Sequence, residues 1–431
     1  MMAVVRLVDR IRPHSGRAVW AAADQGINPL LQLILTPFLL KALGRDAFGV
    51  WMLGATIISM SQLVSLGAGI AATRHVSADL GARNFVQAVA NLRAALAVAM
   101  LGGAIASVAF LALAPVLASA LFSNMGPQQT VAPVLALCGI AAAVQEVDNV
   151  FVGAMRAAER FDLCARSEVP ARIAMACVLL LVSSCGVHVL MISMIGMMVV
   201  KATLKGVQVA LLFGTGACCW PSLSTVPLQR VAHFGFWQWL QTGGTLFFSA
   251  ADQLLVGGLL GAGALARYSV CLQIGQYVHL VPSVLMQIVF PRISALGPKL
   301  DPVRGNEILR SATLVALCVA TSLAVPIIVF ARPILAIWIG TDFAAANQWL
   351  LIVLVAVHVT LAFNIAPYFV LLGSGRARRS ALIVLAAGAA QFAVALVAAP
   401  YGVLMLACSR FVYSLLTAFL YKAALYDTRV G

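Results

Sequence analysis

LRAALAVAMLGGAIASVAFLALAPVLA, residues Leu92–Ala118, and LRSATLVALCVATSLAVPIIVFARPILA, residues Leu309–Ala336, are two versions of one segment. Leu92-Arg93-Ala94-Ala95 answers Leu309-Arg310-Ser311-Ala312, Val98-Ala99 answers Val315-Ala316, and Pro115-Val116-Leu117-Ala118 answers Pro333-Ile334-Leu335-Ala336. After its arginine, each copy runs on for about 20 apolar residues, enough to cross a hydrocarbon core about 30 Å thick as a helix. Neither copy alternates apolar and polar residues as a barrel strand does. A helix also satisfies its own backbone hydrogen bonds, which lipid cannot do. The segment is therefore a membrane-spanning helix that occurs twice.

Working outward from it, the same offset of 216 to 220 residues relates more of the chain to itself. Leu43-Gly44 matches Leu260-Gly261, the following Phe48-Gly49-Val50 answers Tyr268-Ser269-Val270, and Arg74 matches Arg292. Arg156 matches Arg376, and Gly186-Val187 matches Gly402-Val403. So many matches in one order identify an internal repeat. Apolar runs between charged or Gly/Pro-rich breaks predict twelve spans at 18–43, 49–73, 88–113, 130–154, 168–184, 187–213, 232–259, 265–290, 310–331, 347–373, 380–398 and 402–424. Six spans per repeat is an even number, so both halves enter the membrane in the same sense and a pseudo-twofold along the membrane normal relates them. The expected fold is an all-α polytopic membrane protein, twelve transmembrane helices in two parallel six-helix repeats around a central cleft. Its predicted parts are a cytoplasmic N-terminal segment 1–17, a lobe 18–215, a cytoplasmic linker 216–231, a second lobe 232–424 and a tail 425–431.

Composition agrees. The chain has 431 residues, of which 62% are hydrophobic and 10% charged, against roughly half and a quarter in soluble domains. It carries 28 Lys+Arg against 14 Asp+Glu, a net charge of +14. Twenty-three of those bases fall on the side that holds both termini and the even-numbered loops, which the positive-inside rule assigns to the cytoplasm. The basic excess is thus topological and calls for no nucleic-acid partner. The first apolar run contains Asp24 and Pro29, lacks a small-residue cleavage site, and reads as a retained span rather than a signal peptide. Nine cysteines without CxxC spacing read as small buried hydrophobes, with neither a disulfide framework nor a metal site. Extra-membrane segments are short, and neither a phosphate-binding loop nor a dinucleotide fingerprint occurs. The sequence predicts a transporter without a cofactor, not an enzyme.

Ionisable groups inside spans are costly, so each needs a partner, a wet cavity or an escape to the interface. On span 7, Gln238, Gln241, Thr242, Thr245, Ser249 and Asp252 lie within an arc of about 100° at helical periodicity. Span 1 carries Asp24, Asn28, Gln32 and Thr36 at i, i+4 steps. These two helices open the two repeats, and their stripes are the predicted lining of a polar lumen; interhelical hydrogen bonding is the competing role. Lys201 and Arg410 are the candidate lumenal bases, although Lys201 and Lys205 can also snorkel and Arg410 can also pair with an acid. Glu146 and Asp148 on span 4, together with Asp24 and Asp252, are the candidate ion-coupling acids.

The stretch Leu39-Leu40-Lys41-Ala42-Leu43-Gly44-Arg45-Asp46-Ala47-Phe48-Gly49-Val50-Trp51 and the second-span ending Leu66-Gly67-Ala68-Gly69-Ile70-Ala71-Ala72-Thr73-Arg74 resemble one transporter family. So do Val289-Phe290-Pro291-Arg292-Ile293-Ser294 and Leu371-Leu372-Gly373-Ser374-Gly375-Arg376. The resemblance is to the polysaccharide-biosynthesis branch, the O-antigen and exopolysaccharide-unit flippases, of the multidrug/oligosaccharidyl-lipid/polysaccharide exporter superfamily. It implies residence in the bacterial inner membrane and movement of undecaprenyl-diphosphate-linked sugar units to the outer leaflet. It also implies membrane lipid and the polymerase and glycosyltransferases of the same pathway as partners, with a cationic cavity and proton coupling as family features. Two alternatives stay open on the residues: a cation-coupled multidrug exporter of the same superfamily, and a major-facilitator transporter, whose loop signature Ala78-Asp79-Leu80-Gly81-Ala82-Arg83 approximates one residue short.

Overall fold

The computed structural model of the chain describes residues 30–61, 67–214, 221–222, 250–296, 302–373 and 377–427. All regular structure among them is helical. The first half contributes α1 (Leu30–Leu43), α2 (Arg45–Ser59), α3 (Ala68–Gly81), α4 (Phe85–Ala120), α5 (Gln128–Ala157), α6 (Phe161–Leu181) and α7 (Val187–Phe213). The second contributes α8 (Ala250–Leu260), α9 (Ala262–Leu296), α10 (Pro302–Val329), α11 (Ala331–Trp338), α12 (Thr341–Ala362) and α13 (Ile365–Gly373). It ends with α14 (Ala377–Ala398), α15 (Val403–Cys408), α16 (Arg410–Thr417) and α17 (Phe419–Asp427).

Among the described residues, eight helical stretches are long and apolar enough to cross a membrane, the first Phe85–Ala120 and the last Val403–Leu425. The expected all-helical, multi-pass membrane fold is present. Of the remaining predicted spans, 18–43 falls partly and 232–259 mostly outside the described residues, which show their ends as α1 and α8. Span 49–73 is seen as parts of α2 and α3, with 62–66 outside the described set. The fifth starts earlier than predicted, at Phe161, and its first half carries Asp162, Arg166, Glu168 and Arg172. That charge shortens its apolar part. The predicted twelfth span is broken at Ser409, whose Oγ donates to the Leu406 carbonyl at 2.6 Å, and at Ala418. The tenth breaks before Asn364, whose side-chain amide donates to the Ser414 carbonyl and to Thr417 Oγ1 at 3.0 and 2.6 Å.

Three pairs of glycines separate helices at corresponding places in the two halves. Gly44 and Gly261 have φ of 79° and 89°, Gly126 and Gly340 137° and 138°, and Gly186 and Gly402 93° and 98°. A side chain with a Cβ is strained at such angles, so glycine ends one helix and re-aims the chain for the next. The pairing of backbone angles is a structural signature of the repeat that the sequence self-match predicts.

The chain divides into two compact units. The first takes its described residues from Met1–Leu43, Ile57–Ala118 and Gln129–Trp239. Its interior is rich in alanine: Ala68, Ala71 and Ala72 of α3 and Ala88, Ala94, Ala95 and Ala99 of α4 are buried with Val150 and Ala154 of α5. Small side chains let membrane helices approach until backbone meets backbone. At the α3–α5 crossing a Cβ on Gly69 would stand 2.7 Å from the Asn149 carbonyl oxygen, and Thr73 Oγ1 reaches the Gly153 carbonyl at 3.3 Å. Nearer the start of α5, Ser107 Oγ of α4 donates to the Gly139 carbonyl at 3.1 Å. Gly69→Val is expected to force α3 and α5 apart at a cost of about 1–3 kcal/mol, the usual range for overpacking. A lowered melting midpoint of the detergent-solubilised protein checks this.

The second unit comprises Gly44–Thr56, Ser119–Gln128 and the described part of Leu240–Gly431. Within it, Thr56 Oγ1 donates to Gln253 Oε1 at 3.1 Å. The last turn of α8, Val256–Leu260, is a π-helical turn. Its widened ring leaves carbonyls in need of donors, and Asn124 Nδ2 reaches those of Gly258 and Leu259 at 3.1 and 3.3 Å. Such turns often mark functional positions. The cysteine expectation holds in part: Cys138, Cys164 and Cys271 are buried, whereas Cys177, Cys185 and Cys318 lie on the chain's surface. On a spanning helix that surface is itself apolar, so a small hydrophobe is stable on either side.

Candidate functional site

Each unit buries one cluster of charges. In the first, α7 presents Lys201 and Lys205, four residues apart and so on one helix face. α6 presents Glu168 and Arg172 with the same spacing, and α5 presents Asp148. Lys205 Nζ lies 2.9 Å from Asp148 Oδ2 and also contacts Glu168 Oε2. Lys201 Nζ lies 3.1 Å from Asp148 Oδ2 and 3.3 Å from Glu168 Oε1. Arg172 Nε completes the set, 2.8 Å from Glu168 Oε1.

Burial grades across this cluster. The Lys205 side chain is 0% exposed, Lys201 14% and Arg172 20%. Three cations meet two carboxylates here, and the two more exposed members are both cations. Asp148 Oδ1 is buried without a hydrogen-bond partner among the described residues. The sequence singled out Lys201 and Asp148 but missed Glu168, because that residue stood at the edge of a predicted span. Its i, i+4 relation to Arg172 was the available signal. Glu146 does not join the cluster: it is buried on another face of α5, where Asn149 Nδ2 donates to it at 3.2 Å and Gln145 donates in turn to Asn149 at 3.1 Å. Two residues along a helix point roughly 200° apart, so Glu146 and Asp148 cannot act as one site.

In the second unit Asp252 of α8, Tyr268 of α9 and Arg410 of α16 meet in the interior. Arg410 Nη1 is 3.2 Å from Asp252 Oδ2 and 3.4 Å from the Tyr268 hydroxyl, which itself donates to Asp252. The backbone amide of Gln253 donates to Asp252 Oδ1 at 2.8 Å. Arg410 and Asp252 side chains are 1% and 0% exposed, so the pair is neutral overall and closed to solvent. Of the two outcomes open to an arginine inside a span, the structure shows pairing with an acid. Tyr268 was not singled out by the sequence, although the repeat puts a polar residue there where the first half has Phe48.

Gln32 is exposed on α1, and its carbonyl accepts from Thr36 Oγ1 at 2.7 Å. Asp24, Asn28, Gln238, Gln241, Thr245 and Ser249 lie outside the described residues. Among the described residues no group of three or more His, Cys, Asp or Glu side chains is placed to hold a metal ion. At the start of α6, Arg160 Nε donates to Asp162 Oδ1 at 3.0 Å. That pair is exposed and of the kind that contributes little.

A multi-pass helical protein with closed charge clusters inside its helices, and with only short segments between them, has the build of a membrane transporter. Solved structures share that fold. An inward-facing multidrug resistance transporter of the MATE family and MOP superfamily superposes with a TM-score of 0.73 at 14% identity, over 95% of this chain and 97% of that one. The outward-facing conformation of such a transporter gives 0.61 at 14% identity over 96% and 93%. A MOP superfamily transporter from Pyrococcus furiosus, described as having a binding pocket of reversed polarity, gives 0.59 at 14% over 96% and 93%. The chain belongs to the polysaccharide biosynthesis protein family, whose profile matches residues 39–354. No curated protein sequence matches it significantly. The major-facilitator alternative is set aside, since the fold is that of the MATE transporters over nearly the whole chain.

Proposed function

We propose that the protein is a flippase that moves an undecaprenyl-diphosphate-linked oligosaccharide, the repeat unit of a polysaccharide, from the cytoplasmic to the outer leaflet of the bacterial inner membrane. The observation that carries this reading is the match of residues 39–354 to the polysaccharide biosynthesis family on a transporter fold. Twelve spanning helices form two six-helix lobes with both termini cytoplasmic, and the lobes open in turn to each side. The sugar and diphosphate cross between the stripe of Asp24, Asn28 and Gln32 and that of Gln238, Gln241, Thr245 and Ser249. Asp252, tied to Arg410, sits at the end of the second stripe. Lys201 and Arg172, the less buried members of the first unit's charge cluster, support an anionic substrate, because a charge inside a membrane protein is retained only where something offsets its cost. The substrate arrives from glycosyltransferases and leaves toward a polymerase of the same pathway.

Deleting the gene and analysing lipids by leaflet tests this. Polyprenyl-linked glycan is expected to accumulate on the cytoplasmic leaflet, with surface polysaccharide lost. The fold shared with multidrug resistance transporters favours a second reading, cation-coupled drug export by Asp24, Glu146, Asp148 or Asp252. Unchanged surface polysaccharide with raised drug sensitivity would establish that reading instead. For the lumen itself, cysteines placed at Gln241 and Thr245 in a cysteine-free background are expected to react with a membrane-impermeant thiol reagent. If both stay inert in every transport condition, the span-7 stripe is buried packing.

A further inference from the structure

The first unit carries an apolar groove of about 810 Å3 between α4, α5 and α7. Its wall on α7 runs from Val199 to Leu211, roughly 18 Å at the rise of a helix, or about half the hydrocarbon thickness. Five of its lining residues are small, Ala104, Ala143, Ala202, Gly206 and Ala210, set among Met100, Phe151 and Leu211. A Cβ on Gly206 would stand 3.2 Å from the Phe151 ring, so glycine is what allows that ring to floor the groove. Small and large side chains thus alternate along the wall.

One end of the groove is marked. Pro221 lines it there, and the Ser222 amide donates to the Arg93 carbonyl at 3.2 Å. Phe85, at the start of α4, stacks on Phe213, the end of α7, with centroids 5.8 Å apart. Arg93 stands on the same helical stripe as Leu96, Met100 and Ala104, one turn nearer this end. Apolar wall and terminal cation together suit a lipid with an anionic head. A methyl-branched chain sets its methyls against the small side chains, where a straight acyl chain forfeits dispersion contacts.

We propose that this groove seats the polyprenyl chain of the lipid-linked substrate, with Arg93 meeting its phosphate. The proposal rests on the flippase reading for its ligand class, and adds that the tail has its own seat on the first unit. To test it, the full-length protein in vesicles of phosphatidylethanolamine and phosphatidylglycerol is irradiated with a polyprenyl phosphate bearing a diazirine on its chain. Labelling is expected on α4 and α7 within the groove, displaced by unlabelled polyprenyl phosphate and not by added phosphatidylglycerol. Ala104→Phe and Thr203→Phe fill the groove from exposed positions and should each cut labelling roughly tenfold, equivalent to 1.4 kcal/mol of affinity; Arg93→Gln should weaken retention similarly. Equal displacement by phosphatidylglycerol, or labelling unchanged in both filled variants, would overturn the seat. Because the readout is binding, a groove that never labels in a protein that still flips glycan refutes only the seat. A labelled groove in a protein that flips nothing refutes the flippase reading.

Discussion

Arg410→Met is expected to cost about 3–5 kcal/mol of stability, the range found when one partner of a buried ion pair is removed. The loss follows from what remains rather than from what is deleted. Asp252 would be left fully buried with only the Tyr268 hydroxyl and the Gln253 amide to offset its charge. Asp252→Asn removes the arginine's counter-charge instead and should be as damaging. The folded yield and the thermal midpoint in detergent measure both. Replacing the whole group, Asp252→Leu with Tyr268→Phe and Arg410→Met, removes the three facing polar side chains together, and such exchanges cost far less than removing one partner because no charge is left buried alone. Stability should return to within about 1 kcal/mol of the parent. Transport is expected to return with it, since neither charge is open to a ligand. A triple variant that folds but does not transport would show instead that the pair opens during the cycle, and Asp252 would then serve the route that the span-7 stripe lines.

Membrane residence and helical class were legible in single segments, because a run such as Ala94–Leu113 has only one structure that lipid permits. The repeat was legible because the glycines at the helix ends, among them Gly44 with Gly261 and Gly186 with Gly402, cannot be exchanged without strain. Partner choice was much less so. Arg410 and Asp252 are 158 positions apart, and nothing local to either points to the other; only the shared need for a counter-charge does. Glu168 was hidden by a boundary, being the charge that makes its own span look shorter than it is. Glu146 and Asp148 looked like one site in sequence and proved to be two, since helical rotation separates neighbours that a linear reading joins. The groove left no trace of its own, because Ala104, Ala202 and Gly206 are ordinary residues for a spanning helix and gain meaning only from the shape they leave together.

In the first unit the expected results divide by burial within a single cluster. Glu168→Gln removes the carboxylate that Lys201, Lys205 and Arg172 share, leaving both lysines to Asp148. Lys205 is wholly buried and cannot escape to water, so this change should also cost about 3–5 kcal/mol, read as loss of folded protein. Lys201→Gln acts the other way. It takes away the more exposed lysine and leaves Lys205 on Asp148 and Glu168 and Arg172 on Glu168. Stability should hold within about 1 kcal/mol, the usual limit for a partly exposed pair, whereas transport of a diphosphate-linked substrate should fall roughly tenfold or more. Lys201→Arg keeps the charge and should keep most of the transport rate, which separates charge from packing. If Lys201→Gln transports normally, the Lys201 charge serves to hold α5, α6 and α7 together. If transport fails while the thermal midpoint stands, the Lys201 charge has been kept inside the membrane for the anion that crosses beside it.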